Sequence, residues 1–137
     1  MLATPSPQAA APVIASEIVV CVTCRPAGAT REGQAAGRTL FEAIEDEALR
    51  TDSPCAVRAV ECMSACSHAC SVALQAVGKT SYLFGGLPAD SESARQVVHG
   101  AGQHTRSPDG LVNWADRPER LQRGVLARLP APLPAAP

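Results

Sequence analysis

Six cysteines are the residues in this 137-residue chain whose types and spacing could do chemistry. Cys21 and Cys24 form a C-x-x-C pair within "VVCVTC". Cys62, Cys66 and Cys70 recur at identical spacing in "VECMSACSHAC", and Cys55 stands alone between the two groups. C-x-x-C fits a thioredoxin-like redox pair, half of a zinc site or half of an iron–sulfur site. A disulfide reductase needs only that pair and leaves the downstream group unexplained. A cysteine can also be a small inert core side chain, which is the plain alternative for any one of the six. On a helix, cysteines four apart are separated by ~6 Å along the axis and the outer two by ~12 Å, so only an adjacent pair would reach one small cluster. A loop relaxes that limit and leaves Cys66 and Cys70 open as a pair. The small residues Ser64, Ala65, Ser67 and Ala69 suit backbone passing close around a cofactor.

The elements that position these thiols follow from pattern. "EIVVCV" (17–22) is a short β-branched run and reads as a buried strand. A helix capped by Thr30 is expected to run to about Arg50, with Ala36, Leu40, Phe41, Ile44 and Ala48 as its apolar stripe. "TDSP" ends it, because Pro54 disfavours helical geometry at Ser53. "AVRAVE" (56–61) reads as a second strand. Residues 71–77 and 80–85 flank Gly78-Lys79 as a hairpin. Asp90 caps a second helix, and residues 111–129 form an arm anchored by Trp114, Leu121 and Leu126. Strand–helix–strand order implies a parallel pair with a right-handed crossover. Parallel neighbours lie ~4.8 Å apart, so Cys21, Cys24, Cys62 and Cys66 emerge at one sheet edge, where open α/β sheets place ligands.

Composition narrows the function classes. The net charge is −1 and four residues are aromatic, which argues against a nucleic-acid surface. No apolar run approaches the ~20 residues of a membrane helix. The N-terminus lacks a basic region followed by an unbroken apolar one, since Pro5, Pro7 and Pro12 interrupt it. The expected location is therefore cytoplasmic, where thiols stay reduced and clustered cysteines argue for metal or redox chemistry. Residues 1–16 read as a disordered tail, 17–129 as one domain and 130–137 as a Pro-rich tail. His68 is a weaker ligand candidate; His99 and His104 read as solvent-facing. Arg25 and Lys79 either offset the charge of the thiolates or are solvated. No phosphate loop, Ser–His–Asp set or paired carboxylate site is present, and the chain does not read as an enzyme.

"VECMSACSHACSVALQAVGKTSYLFGGL" resembles the second half of thioredoxin-like [2Fe-2S] ferredoxins, where a C-x-x-x-C loop precedes a hairpin carrying a G-K pair. "VCVTC", "GKTSYLFG", "SPDGLVNWADRP" and "LARLP" resemble the DUF1636 family of predicted metal-binding proteins, from about residue 18 to 130. The resemblance implies an α/β, thioredoxin-like fold with a mixed four-stranded sheet and flanking helices. It implies Cys62 and Cys66 as one ligand pair and Cys21 as a first-loop ligand, with Cys24 the natural fourth and Cys70 in reserve. The first pair is more closely spaced than in the ferredoxins, which keeps Zn²⁺ beside a [2Fe-2S] cluster as the bound group. The expected role is that of an electron carrier or cluster-bearing accessory protein serving a redox partner. The rivals are zinc handling and thiol–disulfide exchange by Cys21 and Cys24. A homodimer is compatible with the chain.

Overall fold

The computed structural model describes residues 14–133. Most of the expected N-terminal tail and the last four residues of the Pro-rich tail lie outside them. The elements run β1 (Glu17–Cys21), α1 (Ala36–Arg50), β2 (Ala56–Val60), a 3-10 turn (Cys66–His68), β3 (Val72–Gln75), β4 (Ser81–Phe84) and α2 (Ser91–Arg106). A second 3-10 turn (Trp114–Asp116), α3 (Glu119–Arg123) and β5 (Val125–Leu129) complete the chain.

One mixed sheet has the order β2-β1-β3-β4-β5. β1 and β2 are parallel neighbours, with Cys21 opposite Val60. β3 pairs antiparallel with β1 and β4 antiparallel with β3. The parallel β1–β2 pair and the β3–β4 hairpin in the same sheet are those expected from the sequence, and the antiparallel β1–β3 pairing is what joins them. The fifth strand is an addition: the end of the arm expected at 111–129 pairs antiparallel with β4. Only its first two residues are even half-buried, so the burial alternation that marks a strand is absent.

Cross-strand rows build the core. Ile18, Leu74 and Tyr82 form one row across β1, β3 and β4, and Val20, Val72 and Phe84 form another. Both rows share one cluster with Leu40, Phe41 and Ile44 of α1 and with Val97 and Ala101 of α2. Fully burying one such side chain contributes about 1.5–3 kcal/mol. Among the described residues, no helix is long and apolar enough to cross a membrane.

Local differences from the expected pattern have specific causes. α1 starts at Ala36 rather than just after Thr30. The Arg25 guanidinium donates to the carbonyls of Thr30, Glu32 and Gly33, holding them in a loop, and Gly33 adopts φ 72°. Ala35 offers no capping side chain; instead Gly37 N–H donates to the Cys24 carbonyl at 2.9 Å. The C-x-x-C turn thereby satisfies one of the orphan donors of the helix start. α2 is capped as expected, with Asp90 Oδ1 accepting from Ser93 N–H at 2.8 Å.

Leu121 is buried as expected, packed against Gly100, but Trp114 is 61% exposed and does not anchor the arm. His104 corrects another expectation: it has no exposed surface. Its Nδ1 lies 2.6 Å from Ser16 Oγ and its Nε2 2.7 Å from the Thr80 carbonyl. That carbonyl can only accept, so Nε2 carries the proton and the Ser16 hydroxyl donates to Nδ1. Ser16 is itself 1% exposed and so belongs to the packed structure rather than to a tail.

Candidate metal centre

β1 ends at Cys21 and β2 at Val60, and Val22 N–H continues the parallel pairing to the Val60 carbonyl. The Cys21–Cys24 turn and the 61–70 segment therefore leave the sheet at the same edge. β3 brings in a third strand end. It runs antiparallel to β1, so its start lies where β1 finishes, and Cys21 N–H donates to the Ser71 carbonyl at 3.2 Å. Cys70, which precedes Ser71, is placed at the thiol edge by strand direction alone. The 66–70 segment is held from behind by backbone bonds: Gly86 N–H donates to His68, and Cys70 and Leu87 exchange a pair. A Cβ at Gly85 would meet the His68 carbonyl at 2.8 Å, so this close approach depends on glycine.

Five of the six cysteines share this edge in two tiers. Cys21, Cys24 and Cys70 are 1%, 5% and 0% exposed, whereas Cys62 and Cys66 are exposed. The Cys21 and Cys24 sulfurs lie 2.9 Å apart. Cys66 borders the same cavity of about 370 Å³ as Cys21 and Cys24, whose other wall is the Arg25–Arg31 loop. Cys62 accepts from Ser64 N–H at 3.2 Å. Cys55 precedes β2 and so sits at the opposite sheet edge, with its sulfur 3.5 Å from Thr105 Oγ1.

Environment separates these thiols chemically. Burial pushes Cys21 up, but hydrogen bonds from Cys24, Thr23 and the Met63 backbone outweigh it and hold the thiol below its ordinary range. Cys24 is raised by burial and by its neighbour Cys21, against hydrogen bonds from Ser71. Cys66 is raised chiefly by the adjacent charge of Cys62. Cys70 is pushed up to about 11, first by burial and then by Cys24 and Cys21. Mutual repulsion of this kind is what a bound cation relieves, because a coordinating thiol is deprotonated outright.

The donor set fits a thiophilic group in kind and number: five sulfurs at one edge, beside a cavity, served by hydrogen-bond donors. Among the described residues, no three His, Cys, Asp or Glu side chains stand in a finished coordinating arrangement. The fold supplies gathered thiols, and coordination requires their side chains to turn toward a common centre.

The weaker candidates separate from this edge. His68 and His99 are exposed. Arg25 borders the thiol cavity but spends its donors on the loop carbonyls. Lys79 is at the other end of the molecule, donating to the carbonyls of His104 and Thr105 at the C-terminus of α2. Ser71, Thr23 and Gly37 at the thiol edge carried no motif signal. Ser71 could have been found from its position beside Cys70 at a strand start.

The fold is that of a thioredoxin-like domain with its thiols gathered at one sheet edge. The chain belongs to the family described as "Protein of unknown function (DUF1636)", whose model matches residues 18–131. No curated protein matches the chain in sequence. Among solved structures it is similar to a thioredoxin-like [2Fe-2S] ferredoxin from Aquifex aeolicus, with 20% identity and a TM-score of 0.52 over 82% of this chain and 91% of that one. A second structure of the wild-type ferredoxin gives 19% identity and a TM-score of 0.51, covering 82% and 96%. A cysteine-to-serine variant gives 17% and 0.52, covering 82% and 98%. Identities this low speak to the fold.

Proposed function

We propose that the chain is a metal-binding redox protein that holds a [2Fe-2S] cluster through Cys21, Cys24, Cys62 and Cys66 and passes electrons to a partner protein. The observation that carries this reading is the meeting of Cys66 with Cys21 and Cys24, distant in sequence, at one cavity. Four thiolates are the usual ligand set of such a cluster, which supplies one-electron storage when bound. The chain's own part is to position and insulate. Cys21 and Cys24 are held on the buried side by the β1 end and by the start of α1. Cys62 and Cys66 lie on the solvent side, which suits electron exchange with a docked protein. The Cys21 thiol faces the Glu61 carbonyl at 3.6 Å. When that thiol gives up its proton, Thr23 still donates to the carbonyl, so deprotonation leaves no orphaned acceptor.

Thiol–disulfide exchange by Cys21 and Cys24 is less well supported, because an attacking thiol needs access and both are at most 5% exposed. The test is the visible spectrum and metal content of anaerobically purified protein. A brown sample with iron and acid-labile sulfide, bleached reversibly by a one-electron reductant, supports the cluster. Stoichiometric zinc, with no uptake of iron and sulfide, defeats the redox reading and leaves metal handling.

A further inference from the structure

Ser71 opens the path into β3 and has no exposed surface. Its hydroxyl lies 3.6 Å from Cys24 Sγ, its only side-chain hydrogen-bond partner among the described residues. Between a thiol and a hydroxyl either atom can donate. A metal-bound sulfur has no proton and can only accept, so metal binding by Cys24 leaves the serine as the donor. The other sulfurs differ. Cys21 lies 3.7 Å from Thr23 Oγ1, but that hydroxyl donates to the Glu61 carbonyl. Cys62 receives a backbone N–H from Ser64, but at an exposed position. In the buried tier, Ser71 is thus the hydroxyl beside a sulfur that has no competing acceptor among the described residues, and low local dielectric strengthens such a charge-assisted bond.

We infer that Ser71 sets the electron affinity of the metal centre by donating a hydrogen bond to the Cys24 thiolate. The inference rests on the function proposed above. Reduction adds negative charge that the ligand sulfurs share, and a donor aimed at one of them stabilises the more negative state. Ser71 is a positioning residue in this role: it touches the ligand rather than the metal.

The experiment compares wild type, Ser71→Ala and Ser71→Thr, each loaded anaerobically with ferrous iron and sulfide and titrated with a reductant under visible absorption. The expected result is full iron and sulfide content in Ser71→Ala, a midpoint potential more negative than wild type, and return toward wild type in Ser71→Thr. A Ser71→Ala protein with full cluster content and an unchanged midpoint overturns the inference. If Ser71→Ala does not fold, Ser71→Val, which lacks the hydroxyl but matches threonine in shape, is compared with Ser71→Thr for the same shift in midpoint. If wild type accepts no cluster, the proposed function fails, and the hydrogen bond is tested in the Co²⁺-loaded chain instead. Loss of the donor raises the sulfur lone pair, so the sulfur-to-cobalt charge-transfer band moves to lower energy in Ser71→Ala. A band that does not move overturns the inference there too.

Discussion

Gly37→Ala separates a helix effect from a site effect by sign. Alanine in a helix interior is worth about 0.5–1 kcal/mol more than glycine. Propensity alone therefore predicts a more stable protein. At position 37, however, the added Cβ would overlap the Cys21 carbonyl oxygen and sit 3.1 Å from both Cys21 C and Cys24 N. Non-bonded carbons prefer about 3.5–4.0 Å. All three atoms are backbone, so none can rotate away. Relief requires the first turn of α1 to shift from the C-x-x-C turn, which stretches the 2.9 Å bond from Gly37 N–H to the Cys24 carbonyl. Overpacking costs about 1–3 kcal/mol and the weakened bond about 1 kcal/mol. Less the propensity gain, the net loss is about 2 kcal/mol, or about 8 °C in Tm for a domain of this size. Gly102→Ala is the matched control, since its Cβ would meet the flexible end of Arg106, at 3.2 Å from Nη1. It is expected to gain up to about 1 kcal/mol. Urea unfolding of the reduced, metal-free proteins measures both. A Gly37→Ala protein as stable as Gly102→Ala would refute the close-approach argument.

Cys62→Ser is expected to lose bound metal while Cys55→Ser retains it, read by metal analysis of proteins loaded side by side; equal retention would remove Cys62 from the ligand set. Burial holds the His104 pKa below its ordinary value of 6.5, with the Lys79 cation acting in the same direction. The unfolded chain therefore binds the proton first, and stability that is complete above pH 6.5 falls as pH drops toward the folded-state pKa. His104→Gln should flatten that limb of a pH series of denaturant midpoints, and an unchanged slope would exclude His104 as its source. Asp90→Ala removes the α2 cap and its 2.7 Å contact with Arg120 and should cost about 1 kcal/mol, measured by thermal unfolding; a change below about 0.3 kcal/mol would mean the cap is replaced.

Much of this architecture is legible without coordinates because the signals are local. The β-branched run at 17–22, the Leu40–Phe41–Ile44 stripe and Asp90 before α2 each report their own element. Thiol convergence was also legible, since it needs only strand–helix–strand order and parallel pairing. What stayed hidden depends on distant partners. β5 has no burial alternation and is defined by pairing with β4. His104 lies on a polar-looking stretch, and its burial is made acceptable by Ser16 and Thr80, far away in sequence. α1 starts later than its pattern suggests because Arg25 binds the carbonyls that a helix from Thr30 would use. Cys70 joined the thiol edge through β3 running back toward the β1 end, a consequence of strand direction that the parallel pair alone does not disclose.

The distance in sequence between the two cysteine groups also matters for the unfolded chain. Cys24 and Cys62 are separated by about 40 residues that include all of α1 and β2. A group bound to both closes that span into a loop, as a cross-link would. By the chain-entropy relation for cross-links, closing a loop of about 40 residues removes freedom worth about 4 kcal/mol from the denatured ensemble if the bond persists there. Occupancy of the thiol edge would then govern how far the β1–β2 crossover can come apart. Loss of metal would loosen that half of the sheet, leaving the β3–β4 hairpin, which lies outside the closed span, tethered only by its own pairings.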